Sequence, residues 1–213
     1  MSASFHSETT PLLNEQDQAA VVRGLRDGNR EAWARLYDGY SVDVWRYVAR
    51  LMGSQAADVA DVVQATMIEA ARAARQFDAE RGTLWSWLAG IAHHQAALSW
   101  RQAARSARLK HLAETGAGEL RRWLDDCELS DISCDQGELA VLVRGVLTEL
   151  PPDYAALLTA KYLDDRSLEE MSQQFGGSVE SIKSKLARAR REFRLRFANP
   201  SEWQVKLSLP QRG

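Results

Sequence analysis

The chain has 213 residues, of which 45% are apolar and 26% charged, enough to build a real core and too much apolar content for wholesale disorder. No run of eighteen apolar residues occurs, and no basic flank precedes an apolar stretch near the start, so neither a membrane span nor a signal peptide is predicted; a cytoplasmic protein without a membrane partner is expected. The formal net charge of −2 hides an asymmetry, because basic side chains crowd residues 183–196 and acidic ones crowd residues 125–138.

From residue 18 to residue 105 there is no proline, and helical patterns are broken only at Asp27-Gly28-Asn29, Gly53-Ser54 and Glu80-Arg81-Gly82. In the first pattern Ala32, Leu36 and Tyr40 share one face, continued by Val44, Trp45, Val48 and Leu51. The next helix is predicted to open near Asp58, whose carboxylate suits a helix start, and to turn Val59, Val62, Val63, Met67 and Ala70 inward. Thr83 is the expected N-cap of a third helix with a stripe of Leu84, Trp87, Leu88 and Ile91.

Beyond residue 105 the apolar pattern loosens, with Gly116, Gly118 and many acidic residues, and a linker is expected. Cys127 and Cys134 lie in it at a spacing that fits neither a zinc site nor a redox pair, so free thiols are expected, with no metal and no cofactor. A second unit follows: Leu139, Leu142, Val146 and Leu150, the break Pro151-Pro152, then Tyr154, Leu157, Leu158 and Tyr162. The predicted fold class is all-α, two small helical domains joined by a flexible linker. Its parts are an N-terminal extension 1–16, a domain 17–105, a linker 106–137, a domain 138–197 and a tail 198–213, in which Trp203, Val205 and Leu207 stand out.

The second domain carries the clearest signature. Ser167 and Glu170 form a capping-box pair ahead of Leu168, Met171 and Phe175; Gly176-Gly177-Ser178 supplies a sharp turn. A longer helix then buries Val179, Ile182, Leu186, Ala189 and Phe193. A short helix, a glycine turn and a basic second helix describe a helix-turn-helix whose second member enters a major groove. Base edges are read near the N-terminal end of such a helix and phosphates are held by Lys and Arg. Glu180, Ser181, Lys183 and Ser184 are therefore the candidate readers, and Lys185, Arg188, Arg190 and Arg191 the candidate phosphate contacts. The plain alternative is a solvated basic face.

The string Leu150-Pro151-Pro152-Asp153-Tyr154, then Leu168-Glu169-Glu170-Met171, then residues 178–190, resembles the promoter-reading fourth region of extracytoplasmic-function sigma factors. Residues 32–37, 58–66 and 87–92 resemble the same family's second region, in the family's order. The resemblance implies a non-enzymatic transcription initiation factor with no catalytic residue. Its implied partners are RNA polymerase core (the clamp coiled coil of the largest subunit, and the beta subunit), promoter DNA both duplex and single-stranded, and an anti-sigma factor. It further implies that Asp58, Asp61, Val62, Gln64 and Met67 bind the polymerase core, and that the first domain captures the unwound minus-ten strand. Basic and aromatic side chains suited to single-stranded bases are Arg81, Trp85, His94, Trp100, Arg101 and Arg105, whereas Trp87 is expected in the core. Where the family commonly shows Arg-Asn and a later Asp, this chain has His93-His94 and Leu98, which alters the hydrogen bonds open to a flipped base. The acidic linker fits either a place in the polymerase's basic channel or a plain solvated tether.

Two other classes compete. A repressor or activator would use the C-terminal helix-turn-helix, sense a signal with its N-terminal helices and bind duplex DNA tightly without polymerase. A helical enzyme or nuclease finds no nucleophile triad, paired carboxylates, metal-ligand set or phosphate loop in the sequence.

Overall fold

A computed structural model describes residues 15–53, 56–115 and 136–198. Among the described residues there are eight α-helices and no strand. They are α1 (Glu15–Arg26), α2 (Arg30–Met52), α3 (Ala56–Ala73), α4 (Leu84–Thr115), α5 (Gln136–Glu149), α6 (Pro152–Tyr162), α7 (Leu168–Phe175) and α8 (Val179–Ala198), with a 3-10 turn at Ala74–Gln76.

Local chemistry sets the ends of these helices. Asn29 caps α2, its side-chain oxygen accepting from the Glu31 N–H at 2.8 Å. Gly53 closes that helix at φ +90°, where other residues are strained, and its N–H reaches the Ala49 carbonyl at 2.8 Å. Thr83 starts α4, its hydroxyl oxygen accepting from the Ser86 N–H at 3.1 Å. Pro152 begins α6 at a position where a missing N–H costs nothing.

Helices α1–α4 pack around Leu36, Tyr40, Val44, Val48, Leu51, Val59, Met67, Leu84 and Leu88, all essentially without solvent contact. Full burial of side chains of this size stabilises by about 1.5–3 kcal/mol each. Helices α5–α8 pack around Val146, Leu150, Leu157, Met171, Ile182 and Leu186. The two groups are also seated on each other: α4 meets α5, α6 and α7, and α2 meets α5 and α6, so that one apolar cluster runs through both.

Several expectations shift. α4 continues to Thr115, past the expected boundary at residue 105, because residues 103–115 are rich in Ala, Arg, Leu and Lys and the first strong helix breaker is Gly116. Helix propensity, not an apolar face, carries that stretch. Trp45, placed by spacing on the buried face of α2, is exposed, and Tyr47 takes its place inside. Tyr162 and Leu139 are likewise exposed at the ends of their apolar stripes. The N-terminal extension, both cysteines, the acidic stretch and the tail with its Trp203, Val205 and Leu207 lie outside the described residues. No helix among the described residues is long and apolar enough to cross a membrane.

Candidate nucleic-acid interface

The second group of helices builds one surface from the cap upward. Ser167 accepts from the Glu170 N–H at 3.1 Å while the Glu170 carboxylate accepts from the Ser167 N–H at 2.8 Å, closing the expected capping box. Those bonds hold the Glu170 carboxyl below the usual carboxylate range. α7 ends at Gly176 and Gly177, both at positive φ, which turns the chain sharply into α8. The turn is braced by the Ser172 hydroxyl donating to the Gly177 carbonyl, and α8 is capped by Ser178, whose oxygen accepts from the Ser181 N–H at 3.2 Å.

α8 seats Ile182, Leu186 and Ala189 in the core and presents the opposite face to solvent. Glu180, Lys183, Ser184, Arg188, Arg190 and Arg191 are exposed, whereas Ser181 and Lys185 are half-buried along the edge of the core face. Arg190 is tethered, its guanidinium donating to the Tyr162 hydroxyl at 3.4 Å. Arg194 is exposed and shares the stripe of Lys183 and Arg191; extending the same spacing by one turn finds it in the sequence.

α3 separates its expected residues into two sets. Asp58, Asp61 and Gln64 are exposed, and Ile68, at i+7 from Asp61, joins them with 43% of its surface exposed. Ile68 was missed because an apolar residue on this helix reads as core, although its register belongs to the outer stripe. Val62 and Met67 are instead buried in the helix core, so neither side chain is offered to a partner from this arrangement.

α4 divides in the same way. Trp87, His94 and Arg101 recur every seven residues, with Ile91, Leu98 and Arg105 beside them, and form one partly exposed stripe. Arg81 is exposed just ahead of it. Trp85, expected to face a DNA strand, is buried on the other side of the helix, edge-on to Tyr47 with ring centroids 6.2 Å apart. Trp87, expected in the core, is half-buried against Phe77 and keeps ring surface on the stripe with His94 and Arg101. The exchange follows from the cover that α6 and α7 lay over Trp85, a tertiary contact with no local sequence signal. His93 is buried, its Nε2 donating to the Leu147 carbonyl at 3.1 Å, and burial holds its pKa below the ordinary histidine value. Among the described residues no cluster of three or more metal-ligating side chains occurs.

These surfaces lie within two matched family models, Sigma-70 region 2 over residues 36–106 and Sigma-70 region 4 over residues 140–193. The chain is 27% identical to the ECF RNA polymerase sigma factor SigK of Mycobacterium ulcerans, covering 87% of this chain and 96% of that protein. It is also 27% identical to the ECF RNA polymerase sigma-E factor of Haemophilus influenzae, covering 82% of this chain and 91% of that protein. Among solved structures it is similar to CnrH in complex with the cytosolic domain of CnrY, with 26% identity, coverage of 84% and 96% of the two chains, and a TM-score of 0.42. With both regions present in order and the relatives matched over most of their length, the chain belongs to the extracytoplasmic-function family of RNA polymerase sigma factors, non-enzymatic initiation factors that bind core polymerase and direct it to promoters.

Proposed function

We propose that the two groups of helices divide the work of initiation in the cytoplasm. Helices α1–α4 dock on core polymerase through the outer stripe of α3, with Asp58, Asp61, Gln64 and Ile68 as the contacting residues. The α4 stripe of Trp87, His94, Arg101 and Arg105, with Arg81 in front of it, takes the melted minus-ten strand: rings stack on bases while guanidinium groups follow the phosphates. Helices α5–α8 read the minus-thirty-five duplex, with Glu180, Ser181, Lys183 and Ser184 toward base edges and Arg188, Arg190, Arg191, Arg194 and Lys185 toward phosphates. Two modest affinities joined in one chain give a high effective concentration, so neither surface has to bind tightly alone.

The observation that carries this reading is the exposed basic face of α8, set at a fixed angle behind a capped glycine turn. Run-off transcription with purified core polymerase on a pool of promoter templates tests it. Initiation that depends on this chain, and on Lys183 at a subset of templates, is the expected result. Tight binding to duplex DNA without polymerase, and no run-off product, would favour the repressor reading instead.

A further inference from the structure

α2 is apolar on two sides, and the described residues cover only one of them. Its inner side seats Leu36, Tyr40, Val44 and Leu51 in the core. On the opposite side Ala34, Ser41, Val42, Trp45, Ala49 and Met52 recur at helical spacing, and between the first and last of them Asp38 is the only charged residue on that side. Val42 keeps 52% of its surface exposed and Trp45 41%, while Ala49 and Met52 are half-buried. A helix that is apolar all round is ordinarily a buried one, and a contiguous apolar strip on a surface marks a place where something else sits.

The turn between α1 and α2 decides what lies beside that strip. Gly28, at φ +72°, and the Asn29 N–H, donating to the Gly24 carbonyl at 2.8 Å, reverse the chain. α1 therefore runs back along α2, so close that a Cβ added to Gly24 would meet the Ala32 Cβ at 2.5 Å. Glu15 and Ser41 lie equally far from this contact along their helices, so the start of α1 comes to the level of Ser41, Val42 and Trp45. α1 also flanks the adjoining side of α2. It shares a groove with Ala32 and Arg35, and Val42 stands at i+7 from Arg35, on the border between that groove and the open strip. Residues 1–14 thus join α1 beside the exposed Val42 and Trp45.

We propose that the outer strip of α2 is a docking site for the chain's own first fourteen residues, with Leu12 and Leu13 set against Val42 and Trp45 and Phe5 further along toward Met52. The chemistry of the two matches. Residues 1–14 contain no Lys or Arg, and Glu8 is their only acidic residue, so a nearly uncharged segment meets a nearly uncharged strip. Pro11 disfavours helix at the residue before it, so an extended segment, not a longer α1, is what the sequence supplies. Length is ample: the strip from Ser41 to Met52 spans about 17 Å at ~1.5 Å per residue, and an extended segment of this size reaches about 46 Å at ~3.3 Å per residue. The apolar tail residues Trp203, Val205 and Leu207 are worse placed, since they follow α8, which packs on α5, α6 and α7. A strip covered from within the chain no longer drives self-association.

Two measurements on the full chain test it, and neither uses DNA or polymerase, so the outcome is independent of the assigned function. In the first, the chain carries fluorotryptophan and the Trp45 resonance is assigned in fluorine NMR by its loss in Trp45→Phe. The shift of that resonance between water and heavy water is expected to be small in the parent and at least about twofold larger when Leu12→Ser and Leu13→Ser are combined, with the other tryptophan resonances unmoved. A Trp45 already open to solvent in the parent, or equally shielded in both proteins, would overturn the docking. Shielding that disappears on dilution would overturn it in favour of a second copy of the chain. Shielding lost on deletion of residues 199–213 but kept in the leucine variant would overturn it in favour of the tail. The second measurement is the reciprocal one: chymotryptic cleavage after Phe5, followed by mass spectrometry, is expected to be about tenfold faster in Trp45→Asp than in the parent, as release of a docked segment requires. Equal cleavage rates in the two proteins would also overturn the docking.

Discussion

Ser167 shows how much one hydroxyl does. It holds the first turn of an eight-residue helix, and that helix sets the angle of the turn into α8. Ser167→Ala removes an acceptor for the Glu170 N–H, and a loss of about 1 kcal/mol is expected, read as a lower urea midpoint with unchanged slope. At α8 the division between readers and phosphate contacts is also a single-residue matter. Lys183→Ala is expected to change the ranking of promoters, since the residue sits in the exposed first turns. Arg188→Ala is expected to weaken all promoters alike and to lower the salt slope of binding by about one unit, as loss of one phosphate contact does. Arg188 is a cleaner probe than Arg190 because its Nε bonds only the Ser184 carbonyl one turn back on the same helix, at 3.5 Å, whereas the Arg190 guanidinium is engaged by the Tyr162 hydroxyl of α6. Binding measured over a salt series on several promoters separates the two effects; identical patterns from both substitutions would contradict the assignment.

At the scale of the element, the two faces of α3 predict two kinds of failure. Asp61→Arg leaves the core untouched and is expected to reduce association with core polymerase in a pull-down at unchanged melting temperature. Met67→Ala removes a buried side chain, costs about 2–5 kcal/mol, and is expected to lower the melting temperature first and association only as a consequence. Helix existence on α2, α3, α7 and α8 was legible because i, i+3, i+4 spacing, Asn29, Ser167 and the Gly176-Gly177 pair are local signals, although on α2 the spacing put Trp45 inside where Tyr47 lies. That Asp58, Asp61 and Gln64 share the exposed side of α3 was legible for the same reason. Trp85 and Trp87 were not, because two residues apart on a helix they face different ways and only the cover supplied by α6 and α7 decides which is buried. The extension of α4 to Thr115 escaped for the converse reason: propensity sustains a helix whose apolar pattern has lapsed.

At the scale of the whole molecule, the seam where α5–α7 rest on α2 and α4 is closed in this structure, and its closure depends on pH through His93, whose ring lies under the Leu147 carbonyl. Burial lowers the pKa of this ring from its ordinary 6.5; the Leu147 carbonyl and Glu149 of α5 act to raise it, and His94 and Arg101 of α4 add to the lowering. The closed state thus favours the neutral ring, and the open state, in which the ring meets water, binds the proton more readily. Closure is accordingly fully present above about 6.5 and is lost as pH falls from there toward the depressed value. At the other end of the seam Asp43, faced by Arg46, Arg166 and Asp164, has its pKa raised by burial, so its protonation at lower pH works in the opposite direction and strengthens closure. The radius of gyration of the full chain is therefore expected to rise as pH is lowered from 7.5 through 6, with the rise reversed on neutralisation. His93→Gln keeps an N–H donor for Leu147 but cannot take up the proton, so its radius is expected to stay flat over the same window. A His93→Gln chain that opens in step with the parent would assign the response to general acid loosening and not to His93, since protonation of Asp43 acts toward closure.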